Sequence, residues 1–216
     1  MADQPDTNVF LFYPNLIGYA RIVLAIWAFW VMGHAPIQAV ILYALSAGLD
    51  AFDGWAARTY NQSSRFGAML DQLTDRCALL AINMALCALY PSSAFWFQMS
   101  AVVDIASHWL HLHATDINGK STHKESKNPI LHLYYTDRLF LGFMCGANEA
   151  FYMLMYLRAW FPGPTIFGVH LMSIFCTIAF PFAFVKAAIS LIHLGTAAQT
   201  VVEHDQKQIL ERGKAK

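Results

Sequence analysis

Six stretches of the chain are mostly apolar over roughly the 20 residues that a helix needs to cross a bilayer. They run from Leu16 to Met32, Ile37 to Arg58, Phe66 to Tyr90, Phe95 to His113, Leu139 to Trp160 and Phe167 to Leu194. Of the 216 residues, 57% are hydrophobic and only 13% charged, against about a quarter charged in an ordinary soluble domain. A water-facing surface drawn from this pool would consist largely of Leu, Phe and Trp and would aggregate. The same composition excludes intrinsic disorder. The expected fold class is therefore an all-α integral membrane protein with six transmembrane helices. The run Val9-Phe10-Leu11-Phe12-Tyr13 is expected to form a short N-terminal interfacial helix, since aromatic side chains favour the headgroup layer.

Turn chemistry separates the spans at Gly33-His34-Ala35-Pro36, Tyr90-Pro91-Ser92-Ser93 and Phe161-Pro162-Gly163-Pro164. The reading is one domain over residues 1–216, with residues 1–13 as the interfacial segment and residues 197–216 as a polar, helical C-terminal tail. Lys120, Lys124, Lys127 and Arg138 lie in one connection, and Lys207, Arg212, Lys214 and Lys216 in the tail. With an even number of spans these basic segments and both termini share a face, which the positive-inside bias makes cytoplasmic. Asp3 and Asp6 stand where a secretory signal would be basic, so the first apolar run is expected to be retained.

Fourteen basic and fourteen acidic residues cancel, leaving no positive field to recruit nucleic acid. Cys77, Cys87, Cys145 and Cys176 sit apart within apolar runs, a spacing that matches no zinc or redox motif.

Against this apolar background the charges between Asp50 and Arg76 stand out. The chain reads Asp50-Ala-Phe-Asp53-Gly54-Trp-Ala-Ala57-Arg58, then eight residues, then Gly67-Ala-Met-Leu-Asp71-Gln-Leu-Thr-Asp75-Arg76. Each unpaired carboxylate at the centre of a span costs roughly 2.5 to 3.5 kcal/mol, so four of them cost on the order of 10 kcal/mol. At about 100° per residue, Asp50, Asp53, Gly54 and Ala57 share a stripe of the second helix, and Asp71 and Asp75 stack one turn apart on the third. The short connection around Asn61 to Ser64 makes the two helices antiparallel neighbours, so all four carboxylates can converge.

Carboxylates without His or Cys suit Mg²⁺ or Mn²⁺, and two such ions would nearly neutralise the cluster. Gly54, Ala57 and Gly67 remove side chains from the same stripe and would leave a groove. A diphosphate bridging the ions is its natural occupant, with Arg58 pairing to phosphate. The plainer alternative is a set of ion pairs with Arg58, Arg65 and Arg76 near the helix ends. Asn15 reads as the cap of the first helix or, together with Arg21, as part of the nucleotide site.

The stretch from Asp50 to Asp75 resembles the signature of the CDP-alcohol phosphotransferase family, D-x-x-D-G-x-x-A-R-x8-G-x-x-x-D-x-x-x-D, with every fixed position matched. The runs Asn15-Leu-Ile-Gly-Tyr-Ala-Arg21-Ile, Arg65 to Cys77 and Ser107 to His113 resemble most closely those eukaryotic members of the family whose acceptor is inositol. The resemblance covers nearly the whole chain. It implies a homodimeric enzyme of the endoplasmic reticulum that moves a phosphatidyl group from CDP-diacylglycerol to myo-inositol and releases CMP. It further implies that Asp50, Asp53, Asp71 and Asp75 hold the metal ions, with Asp75 also acting as catalytic base. Gly54, Ala57, Arg58 and Gly67 would border the donor nucleotide.

Further polar residues in the later spans are candidates for an acceptor pocket. Asp104, Ser107, His108 and His111 share one face of the fourth span, and Lys186, Ser190 and His193 recur on the sixth. His108, His111, Lys186 and Arg138 are the pocket candidates. Their plainer readings are interhelical hydrogen bonds, an ion pair of Lys186 with Glu149, and positive-inside anchoring by Arg138. His113 would point away from any zinc site built on His108 and His111.

Competing activities are transfer to glycerol phosphate, serine or diacylglycerol, and divalent-cation transport. An intramembrane prenyltransferase ranks below both, because its acidic motifs would lie further apart in sequence.

Overall fold

The structure is a computed structural model and describes residues 8–117 and 137–214. Among the described residues there are six long helices, in chain order α1 (Tyr13–Val31), α2 (Pro36–Thr59), α3 (Arg65–Leu89), α4 (Ala94–Ile117), α5 (Arg138–Trp160) and α6 (Leu171–Lys214). Three of them, α1, α3 and α6, are long and apolar enough to cross a membrane. The protein is thus an integral membrane protein, helical apart from one minimal hairpin among the described residues. The chain divides into two compact units, Met1–Ala85 and Leu86–Lys216.

In the first unit, α1 and α2 pack through small residues. Gly18, Ala25 and Ala28 lie on the buried face of α1, and Ala39, Ser46 and Ala56 on that of α2. Without side-chain bulk the backbones approach closely, which is how helices gain van der Waals contact when lipid supplies no hydrophobic drive. The Ser46 hydroxyl donates to the Arg21 carbonyl at 2.9 Å across this seam. Between α2 and α3 the chain turns at Asn61, whose φ of 52° is left-handed. The Gln62 N–H returns to the Ala57 carbonyl at 2.9 Å, and asparagine tolerates this helix-ending conformation well. Gln62 then accepts the Tyr13 N–H at 2.8 Å, and the Tyr13 and Tyr60 rings pack 4.9 Å apart. These contacts bring the start of α1, the end of α2 and the start of α3 to one end of the unit.

The expected interfacial helix is only a single 3₁₀ turn, Val9–Leu11, capped by the Asn8 side chain. Asn15 does not cap α1; Phe12 holds the cap position. The Asn15 amide is buried inside the first turn and donates to the Val9 carbonyl at 2.6 Å, tying the 3₁₀ turn to the helix.

In the second unit, α4 and α5 both pack against α6. Met144 of α5 and Ile189 of α6 form an apolar cluster with Leu141, Phe182 and Ile192. The Tyr90 hydroxyl donates to the Met155 carbonyl at 2.9 Å. The last apolar run does not begin a helix at Phe167 as expected. Thr165–Ile166 and Val169–His170 pair as a small antiparallel hairpin, because Phe167 and Gly168 both take positive φ, 50° and 82°. Two successive residues of that kind make a tight hairpin turn and cannot belong to a right-handed helix. The tail, in turn, is no separate element. α6 continues for 44 residues through Pro181, about 66 Å at 1.5 Å per residue, roughly twice the thickness of a bilayer core. Lys120, Lys124, Lys127 and Lys216 lie outside the described residues.

Candidate active site

All four signature carboxylates meet inside the first unit, and they meet around a guanidinium. Arg21, midway along α1, donates from Nη1 to Asp53 Oδ2 and to Asp71 Oδ1, each at 2.6 Å. Its Nη2 donates to Asp75 Oδ1 at 2.6 Å and lies 2.9 Å from Asp50 Oδ1. Three helices supply the five groups, with pairs spaced three or four residues apart so that each helix presents both of its acids on one face. Arg76 adds a longer contact to Asp75 Oδ2 at 3.4 Å.

Exposure shows which way this cluster opens. The side chain of Arg21 is 2% exposed and that of Asp53 11%, whereas Asp75, Asp71 and Asp50 are 34%, 43% and 47% exposed. The guanidinium is the floor, and three carboxylates form a mouth above it.

The donor set fits a divalent cation. Asp50, Asp53 and Asp71 each offer an oxygen within 4.8 Å of the others, and these are hard, anionic ligands of the kind that Mg²⁺ and Mn²⁺ prefer. With all four carboxylates ionised, Arg21 and Arg76 offset two of the four negative charges and a divalent cation would offset the other two.

The small residues of the signature do different jobs. At Gly54 the three atoms nearest an added β-carbon all belong to the Arg58 guanidinium, with Nη1 at 3.3 Å. Gly54 therefore leaves room for Arg58, whose exposed side chain has no ion-pair partner among the described residues. Ala57 is half-buried beside them. Gly67 does not border an open groove as expected. An added β-carbon there would lie 2.7 Å from Asn15 Oδ1 and 3.1 Å from Ser64 Oγ, so this glycine lets the start of α3 close onto α1. Ser64 Oγ accepts the Gly67 N–H at 2.9 Å and caps α3.

The four carboxylates converge, as their spacing implies, but their counter-charge comes from outside the signature. Of the three arginines considered for ion pairing, Arg76 reaches Asp75, while the main partner of all four acids is Arg21. The available signal was that Arg21 is the only charged residue in the 19 residues of α1, and a solitary arginine in an apolar span needs an anionic partner.

The acceptor-pocket candidates fall in the second unit. The His111 and His193 rings pack at a tilt with centroids 4.0 Å apart, and His108 meets His193 edge-on at 5.8 Å. His108 Nδ1 lies 2.7 Å from the Asp104 carbonyl and 3.2 Å from Ser107 Oγ. His113 is exposed, as expected. Lys186, Ser190 and His193 are buried on one stripe of α6. Lys186 makes no ion pair with Glu149 and has no hydrogen-bond partner among the described residues. Arg138 opens α5, and its side chain lies outside the described residues.

The chain that forms these helices matches over residues 11–202 the model of the CDP-alcohol phosphatidyltransferase family, and it belongs to that family. Three of its relatives are CDP-diacylglycerol–inositol 3-phosphatidyltransferases. The human protein is 49% identical over 94% of this chain and 96% of its own length. The Drosophila melanogaster protein is 48% identical over 95% and 91%, and that of Saccharomyces cerevisiae 38% identical over 96% and 93%. No solved structure matches the chain.

Proposed function

We propose that this chain transfers the phosphatidyl group of CDP-diacylglycerol to inositol and releases CMP. The observation that carries the reading is the convergence of Asp50, Asp53, Asp71 and Asp75 on one partly open point, in a chain whose near-full-length relatives bear the name of that reaction.

Asp50, Asp53 and Asp71, with Asp75 beside them, would hold Mg²⁺ or Mn²⁺, two ions in all; when bound, these supply polarisation of the donor diphosphate and neutralise charge on the departing CMP. The remaining chemistry belongs to the chain. Arg58, without an ion-pair partner among the described residues and lying over Gly54, takes a donor phosphate oxygen, and Gly54 and Ala57 leave the donor room beside it. Gly67 keeps α3 close enough to α1 for Asp71 to stay in the cluster. Asp75 accepts the proton of the attacking inositol hydroxyl. Its Oδ1 is held by Arg21, and its side chain is 34% exposed, so it reaches the mouth with one oxygen fixed. His108, His111, Lys186 and Arg138 serve the polyol acceptor.

The setting follows from the donor, whose acyl chains stay in lipid while its nucleotide enters a polar mouth. The six long helices are read as six spans, the protein as a homodimer of the endoplasmic reticulum, and the site and both termini as cytoplasmic. The test is incubation of membranes carrying the protein with CDP-diacylglycerol and labelled inositol, serine or glycerol phosphate. Label enters lipid from inositol alone, with matching CMP release. Incorporation from serine or glycerol phosphate instead, or divalent-ion flux without CMP, overturns the proposal.

A further inference from the structure

We propose that Arg21 is a built-in counter-cation that weakens the four-carboxylate site for divalent ions, so that the site fills to two ions only together with an anionic donor. The inference rests on the metal and donor assigned above.

The geometry is unusual for an arginine in an apolar helix. Its guanidinium touches every one of the four carboxylates, at 2.6 to 2.9 Å, and its side chain is 98% enclosed. One oxygen of each carboxylate is thereby already engaged, three as hydrogen-bond acceptors and that of Asp50 in an ion pair. Its Nε, by contrast, is buried with no hydrogen-bond partner among the described residues. The side chain is placed to spend both terminal nitrogens on the cluster, even at the expense of a third donor. The Ser46 hydroxyl on the Arg21 carbonyl pins the same residue to α2 at 2.9 Å.

Charge counting gives the consequence. Four carboxylates alone would be neutralised by two divalent ions, and such a site would fill without substrate. With all four carboxylates ionised, as metal ligands must be, and with Arg21 and Arg76 present, four negative charges face two positive ones. Two divalent ions then leave an excess of two positive charges, which the two charges of a diphosphate diester cancel. In a partly desolvated site such an excess is strongly disfavoured, so the second ion and the diphosphate enter together. The arginine thus converts a site that would hold metal permanently into one that holds it with the donor.

The test measures Mn²⁺ affinity of the full-length, detergent-solubilised protein without nucleotide, reading free Mn²⁺ by electron paramagnetic resonance. Wild type, Arg21→Gln, Arg21→Lys and Arg76→Gln are compared. Arg21→Gln is expected to bind Mn²⁺ at least 10-fold more tightly than wild type, Arg21→Lys to stay within about 3-fold of it because the charge is kept, and Arg76→Gln to tighten by a smaller factor. Unchanged or weaker binding in Arg21→Gln overturns the proposal, because it would make Arg21 a scaffold for the ligands. Binding in Arg21→Lys as tight as in Arg21→Gln overturns it too. Should Arg21→Gln fail to fold, Arg76→Gln decides: tightening supports the counter-cation and its absence refutes it. The inositol-transfer assay on wild type is independent, so a failed activity and a failed counter-cation are told apart.

Discussion

Gly67→Ala is the substitution whose outcome follows most directly from the geometry. The added β-carbon would sit 2.7 Å from Asn15 Oδ1, and ordinary carbon–oxygen contact begins at about 3.3 Å, so something must give by roughly 0.6 Å. Asn15 is 1% exposed and its amide holds Val9 at 2.6 Å, which leaves it no slack. Overpacking of this size costs about 1–3 kcal/mol, and loss of the Asn15–Val9 hydrogen bond adds about 1 kcal/mol. Alanine returns up to about 1 kcal/mol through helix propensity. The net is a destabilisation of about 1–3 kcal/mol. At roughly 2–4 °C per kcal/mol for a chain of this size, the unfolding midpoint in detergent should fall by about 2–12 °C. Because Asp71 lies one turn along from residue 67, the same displacement loosens the cluster, and CMP release should drop by about 10-fold or more. Gly48→Ala is the control: it lies in α2 with nothing within 4 Å of its added carbon and should leave both quantities unchanged or raise the midpoint. An unaltered midpoint in Gly67→Ala, or an equal loss in Gly48→Ala, refutes the close approach of α1 and α3.

Asp75→Asn keeps the hydrogen-bonding shape and removes the proton acceptor, so kcat should fall 10²- to 10⁴-fold while KM for CDP-diacylglycerol changes only a few-fold; unimpaired turnover sinks the base assignment. Chelation with EDTA should abolish inositol transfer, and added Mg²⁺ or Mn²⁺ should restore it; activity that survives chelation counts against a metal site. Lys186→Met removes a buried charge that has no partner among the described residues, so thermal stability should hold or rise while KM for inositol increases; a lower midpoint with unaltered KM would make Lys186 structural.

The long helices, their order and the convergence of the four acids were legible because each depends on local chemistry. Apolar length gives a helix, Gly and Pro give the breaks, and a three- or four-residue spacing puts Asp50 with Asp53 and Asp71 with Asp75. The short α2–α3 connection then forces the pairs together. Phe167 to His170 escaped this reading because apolar content does not distinguish a helix from a hairpin when two adjacent residues take positive φ. The small N-terminal turn escaped it too, since aromatic content says where a segment sits and not how long a helix it makes.

What only the tertiary structure decided is the partnership across helices. Arg21 lies 29 residues before the nearest of its four acids, and no periodicity along one helix reports what a neighbouring helix brings to its face. Gly67 is similar: a missing side chain marks either open space or a close approach, and Asn15 of α1 makes it the latter. Composition and spacing determined which charges must be reconciled inside this protein, and packing between helices determined by which cation, because charge is compensated through space at a few ångströms, whatever the distance along the chain.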